Sequence, residues 1–129
     1  MALKSNTASI YIDEEALVPL QSGITDFEIF DDEILDIVKV TNKPNNYFFE
    51  GDTIIFTITI ENTGTKTLED LVFRDVIDTI VIPNTGTDFI VDSDFGTIES
   101  KTRNILITEI TLEPDDICTI TIEGVIDTL

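Results

Sequence analysis

The chain has 129 residues, of which 26 are acidic and 7 basic, giving a formal net charge of −19; it has no histidine and a single cysteine. That length suits one domain and allows roughly two-thirds of the unfolded surface to be buried without staples. The acidity excludes nucleic acid and anionic membrane as natural partners and favours cations, basic partners and solubility. Without histidine there is no His-based triad and no His metal site, and with Cys118 alone there is no intrachain disulfide and no thiolate zinc site.

Residues 1–35 differ from the rest and are read as an N-terminal extension. Ser9-Ile10-Tyr11-Ile12 suggests a short strand, broken by Asp13-Glu14-Glu15. Ala16-Leu17-Val18-Pro19-Leu20 is apolar, but Pro19 cannot donate to a ladder, so it reads as edge or extended chain. Gln21-Ser22-Gly23 reads as a turn, and Phe27-Glu28-Ile29-Phe30 is apolar again. Asp31-Asp32-Glu33-Ile34-Leu35 suggests at most one helical turn. The segment is too apolar for a disordered tail and must dock, on its own domain or on a neighbouring chain.

From residue 36 to 129 the pattern is regular and reads as one β-sandwich domain. Ile37-Val38-Lys39-Val40 is a strand. The strongest follows at residues 54–60, where Ile54, Phe56, Ile58 and Ile60 face one way and Ile55, Thr57, Thr59 and Glu61 the other, a strict period of two. Asn62-Thr63-Gly64 closes it, read as a tight turn whose Asn and Gly tolerate positive φ. Further strands are expected at residues 68–76, 88–91, 105–112 and 117–125. Turns fall at Pro83-Asn84-Thr85-Gly86, at Asp92-Ser93-Asp94-Phe95-Gly96 and at Glu113-Pro114-Asp115-Asp116. About seven short strands with turns at this spacing predict two packed antiparallel sheets. Alternation places Cys118 with Ile120 and Ile122 on one face, as a core thiol, and Tyr47-Phe48-Phe49 is read as packing.

Glu50-Gly51-Asp52, the alternating strand after it, Asn62-Thr63-Gly64 and the strand from Leu68 to Asp75 resemble the conserved-repeat family called domain of unknown function eleven. The later run Leu112-Glu113-Pro114-Asp115-Asp116 and the strand at residues 118–122 resemble that family's ending, with Asp115 where its Pro-Gly has glycine. The likeness spans about residues 36–125. It implies an immunoglobulin-like sandwich, typically a repeat in bacterial and archaeal surface proteins, with a structural role and no catalytic residues. Surface immunoglobulin-like domains sometimes carry a Lys-to-Asn isopeptide cross-link; Lys39, on an early strand, is the lysine in place for one, with no partner identified.

No enzyme and no cofactor are expected. Asp31, Asp32, Asp92 and Asp94 offer loop oxygens to calcium, without the twelve-residue EF-hand spacing, so divalent cations are candidate partners only. The sharper expectation is self-association. An exposed sheet edge accepts a strand from another chain, and Ser9, Ile10, Tyr11, Ile12, Leu17, Val18 and Leu20 are the candidate donor residues; a head-to-tail contact of this kind builds a filament. No signal-peptide or membrane-spanning run is visible, so membrane insertion is not expected, and a subunit laid down on a spore surface from within the mother cell is a concrete setting. The alternative is a monomeric, adhesin-like or repeat-type binding module of the cell envelope.

Overall fold

The computed structural model describes the backbone of residues 2–13 and 17–29, and backbone and side chains of residues 35–45 and 47–128. The expected helical turn at residues 31–35 falls largely outside them. Among the described residues every regular element is a strand: β1 (Ala2–Asp13), β2 (Leu17–Ile29), β3 (Leu35–Thr41), β4 (Tyr47–Phe48), β5 (Thr53–Asn62), β6 (Leu68–Ile77), β7 (Val81–Ile82), β8 (Ile90–Ser93), β9 (Thr97–Ser100), β10 (Asn104–Leu112) and β11 (Ile117–Ile126). One sheet runs β4-β1-β2-β6-β10-β9 and the other β3-β5-β11-β7, with β8 also on β11. Pairing is antiparallel except between β1 and β4. The protein is therefore an all-β sandwich.

Alternation builds the core. β5 buries Ile54, Phe56, Ile58 and Ile60, and β11, its antiparallel partner over nine residues from Ile117↔Glu61 to Val125↔Thr53, buries Cys118, Ile120 and Ile122. Against them the other sheet turns Leu71, Phe73 and Ile77 of β6 and Ile105, Ile107, Ile110 and Leu112 of β10. Branched and aromatic side chains on a pleated surface suit both strand propensity and burial. Burying each such side chain is worth about 1.5–3 kcal/mol. The β6–β10 ladder carries two bulges, one on each strand. Ile107 faces Phe73, Ile110 faces Leu71 and Leu112 faces Leu68, with Glu109 and Asp70 held at φ of 59° and 56°. The opposed extra residues restore the register while bending both strands together.

Gly51-Asp52 before β5 and Asn62-Thr63-Gly64 after it are structural, and the second differs from its sequence reading. Gly51, with φ of 82°, makes the turn into β5, where its N–H donates to the Ile126 carbonyl. Asn62 and Gly64, by contrast, are not among the positive-φ residues. Asn62 is fully buried and acts through its amide: Nδ2 donates to the Lys66 and Leu112 carbonyls, Oδ1 accepts from Gly64 N–H, and its backbone exchanges bonds with Asp115 and Asp116. Asparagine stands there as a side-chain hydrogen-bonder, locking the end of β5 to both neighbouring turns. Asp115 takes φ of 70°, a left-handed turn conformation that aspartate tolerates better than most residues.

The predicted turn Gln21-Ser22-Gly23 is a β-bulge inside β2: Ala8 faces Gly23 while Ser9 faces Gln21, which leaves Ser22 extra. Turn-forming residues within paired strands mark such irregularities. β4, β7 and β9, at two to four residues each, are too short to leave a periodic trace. Replacing Asn62 with Ala should lower the unfolding free energy by roughly 2–4 kcal/mol, because a buried carbonyl and the turn amides lose their partner. The midpoint of urea denaturation should fall with the slope unchanged.

Candidate functional site

The candidate donor residues come together. In the hairpin of β1 and β2, Ser9 faces Gln21, Ile10 faces Leu20, Tyr11 faces Pro19, Ile12 faces Val18 and Asp13 faces Leu17. The root of the hairpin lies along β6, where β2 pairs from Gly23↔Ile77 to Glu28↔Val72. Its tip passes the end of β6, and there Tyr11 and Ile12 run parallel to Tyr47 and Phe48 of β4. Pro19 stands in the tip, where β2 pairs with β1 alone, so its missing N–H interrupts no ladder to β6. In this single chain the extension thus completes the sheet at β6, which is otherwise bonded on one side to β10.

Directly beneath this docking line lies an ion pair. The pattern of β6 turns Leu71, Phe73, Asp75 and Ile77 inward, and that of β3 turns Leu35 and Lys39 inward. The two charged residues therefore occupy core positions on opposite sheets. Lys39 Nζ donates to Asp75 Oδ2 at 2.8 Å, with both side chains 0% exposed, and Nζ sits 4.8 Å from the centre of the Phe56 ring. Removing two charges from water costs several kcal/mol per ion, and breaking such a pair costs about 3–5 kcal/mol more, so each residue commits the other. The pairing escaped the sequence reading, although the inward run Leu71-Phe73-Asp75-Ile77 carried a signal for it: a charge at an apolar position of the alternation.

Two of the calcium candidates, Asp92 and Asp94, lie on and just after β8. Asp92 lies on β8 opposite Thr121. Asp94 Oδ1 accepts from Thr119 N–H at 2.8 Å, so that carboxylate ties the end of β8 to β11. Asp31 and Asp32 are outside the described residues, among which no group of three or more acidic, Cys or His side chains is placed to hold a metal. At the edge near β4, Lys43 pairs with Asp52, and Phe49 N–H donates to the same carboxylate oxygen. The lysine first and this amide second hold the Asp52 carboxyl below its ordinary value. Of the aromatic cluster read as packing, only Phe48 is buried; Tyr47 and Phe49 are 37% and 48% exposed, and Lys43 Nζ stands 5.1 Å from the Phe48 ring and 5.8 Å from that of Phe49. A surface pocket of about 320 Å³ lies between β6, β9 and β10, lined by Arg74, Val76, Ser100 and Asn104 among others.

Cys118 is buried in β11 as alternation predicts, 3.7 Å from Ser93 Oγ. Burial is the main cause that pushes its thiol up to about 11. The thiolate is the reactive form, so at about pH 8 the native protein should not react with a thiol reagent, while one thiol per chain should titrate in denaturant. Rapid native labelling would place the residue at the surface.

No family model, no curated protein and no solved structure matches this chain.

Proposed function

We propose that the chain is a non-enzymatic structural subunit that associates with its own copies through the N-terminal hairpin. The observation that carries this reading is the lie of β2 on β6. The β1–β2 hairpin completes a sheet through the pairing of β2 with β6 from Gly23 to Glu28, and residues 30–34 join it to β3. A second copy of β6 offers the same edge, so hairpin exchange replaces one set of contacts by an identical set, a low-cost route to association. When each hairpin goes to the next subunit, the exchange is head-to-tail and open, and a filament results. The resemblance of residues 36–125 to domain of unknown function eleven supports an immunoglobulin-like topology and a setting on a bacterial cell or spore surface.

Charge sets the conditions. Subunits of −19 repel one another, so assembly should strengthen with salt, with divalent cations and towards the pI of about 4.1. A second reading, an adhesin-like binding module of the envelope, is favoured by the exposed Tyr47 and Phe49 beside Lys43.

Electron microscopy and light scattering of the full chain, beside a chain lacking residues 2–29, separate the two. The truncation removes the whole β6-pairing strand. The full chain should form filaments or oligomers that grow with salt, and the truncated chain should not form them. A uniform monomer under all conditions, or equal assembly of the truncated chain, contradicts hairpin donation and leaves the binding module.

A further inference from the structure

We propose that Lys39 and Asp75 join covalently, through an amide between Nζ and Cγ that staples one sheet of the sandwich to the other. This inference stands independently of the assembly reading. It rests on the placement of the two groups, which face each other from β3 and β6 across the core, 2.8 Å apart and both 0% exposed. The Asp75 carboxyl carbon lies one bond beyond the contacted oxygen, so amine and carboxyl are held at the separation from which intramolecular reactions proceed at very high effective concentration. The rigid strands prevent either group from swinging away. Lys39 stays paired to Ile58 of β5 through its backbone, and Asp75 lies between Thr25 of β2 and Ile105 of β10. The Phe56 ring on one flank, with the buried Phe73 and Ile77 adjacent to Asp75 along β6, keeps bulk water from solvating the charges and from competing as a nucleophile.

The chemistry balances without any outside reagent. The ion pair carries three protons on Nζ and none on the carboxylate. Passing one proton to Oδ2 along the existing hydrogen bond gives amine and acid. The Nζ lone pair then attacks Cγ. The Nζ–Cγ bond forms, one Cγ–O bond breaks, and a second Nζ proton departs with that oxygen. The products are a secondary amide, which keeps the third proton, and one water. No electron changes hands. The linkage closes a loop between positions 36 residues apart, encompassing β4 and β5. It fixes β6, the strand on which the hairpin lies, to the opposite sheet.

Intact-mass spectrometry of the folded, aged protein followed by tryptic mapping tests this. The wild-type chain should be about 18 Da lighter than its sequence mass, the loss of one water. Trypsin should fail to cut at Lys39 and should release residues 5–66 joined to residues 75–101, since Lys43 precedes proline. The variant Lys39→Arg keeps a cation opposite Asp75 but should show its full mass and only linear peptides. A wild-type chain at full sequence mass that is cut at Lys39 overturns the proposal. So does the same deficit in Lys39→Arg, which would place the dehydration at another residue.

Discussion

The apolar layer between β5 and β11 on one side and β6 and β10 on the other governs where the remaining residues can stand. Its inward positions are set by a period of two, so a slip of one residue would bring the outward face into the core, Thr-rich in β5 and β11 and carrying Arg74 in β6. The nine-residue pairing of β11 on β5 gives that layer its length. Asn62 ends it, bonded to the turn after β5 and to the end of β10 through one amide. Gly96 belongs to the same constraint: at φ of 78°, a Cβ there would stand 2.5 Å from the Thr108 carbonyl oxygen, so β8 turns into β9 only by lying flat on β10. At the other end of β10, Arg103 donates to the carbonyls of Ile77, Asp78 and Val81, holding the crossing from β6 to β7 in place.

Into this layer the chain sets one cation and one anion. A hydrophobic pair at positions 39 and 75 would fill the same space without the desolvation cost, and such replacements are often neutral or stabilising. The pair is thus hard to explain as a source of stability alone. It has the geometry of a reactive couple, in a chain whose other cations among the described side chains stand nearer the surface or cap carbonyls, as Lys43 and Arg103 do. The structure sets Asp75 opposite Lys39, for which the sequence reading identified no partner.

Much of the sandwich was legible because its strands are long and alternate strictly. The run Ile54, Phe56, Ile58 and Ile60 can be read in no other way, and Cys118, Ile120 and Ile122 follow the same rule. Other features depended on information that local sequence does not hold. Asn62-Thr63-Gly64 looks the same whether Asn supplies backbone freedom or a side-chain amide; only the closeness of Leu112, fifty residues away, decides it. Gln21-Ser22-Gly23 has the composition of a turn, and becomes a bulge because β1 and β6 both claim the strand around it. The charge at Asp75 was visible on an inward face, but its partner was not, since alternation assigns faces within a strand and not which strands of two sheets oppose. The candidate donor residues were placed correctly in extended chain, yet their mutual pairing as a hairpin required the register of β1 on β2.

The N-terminal hairpin joins these threads. β6 carries Asp75 inward and β2 alongside, so the strand that holds the buried pair is also the strand that receives the extension. Unpaired edge groups on β6 would be open to water and to other chains; covered, they exchange only when the hairpin leaves or the domain unfolds. Amide hydrogen exchange on β6, measured in the full chain and in one lacking residues 2–29, tests that dependence most directly. The account predicts that the β6 amides on the β2 side exchange slowly in the full chain, nearly as slowly as those of β5. In the truncated chain those β6 amides should become fast while β5 and β11 remain protected. Fast exchange along that side of β6 in the full chain, or protection that is the same with and without the hairpin, would contradict it.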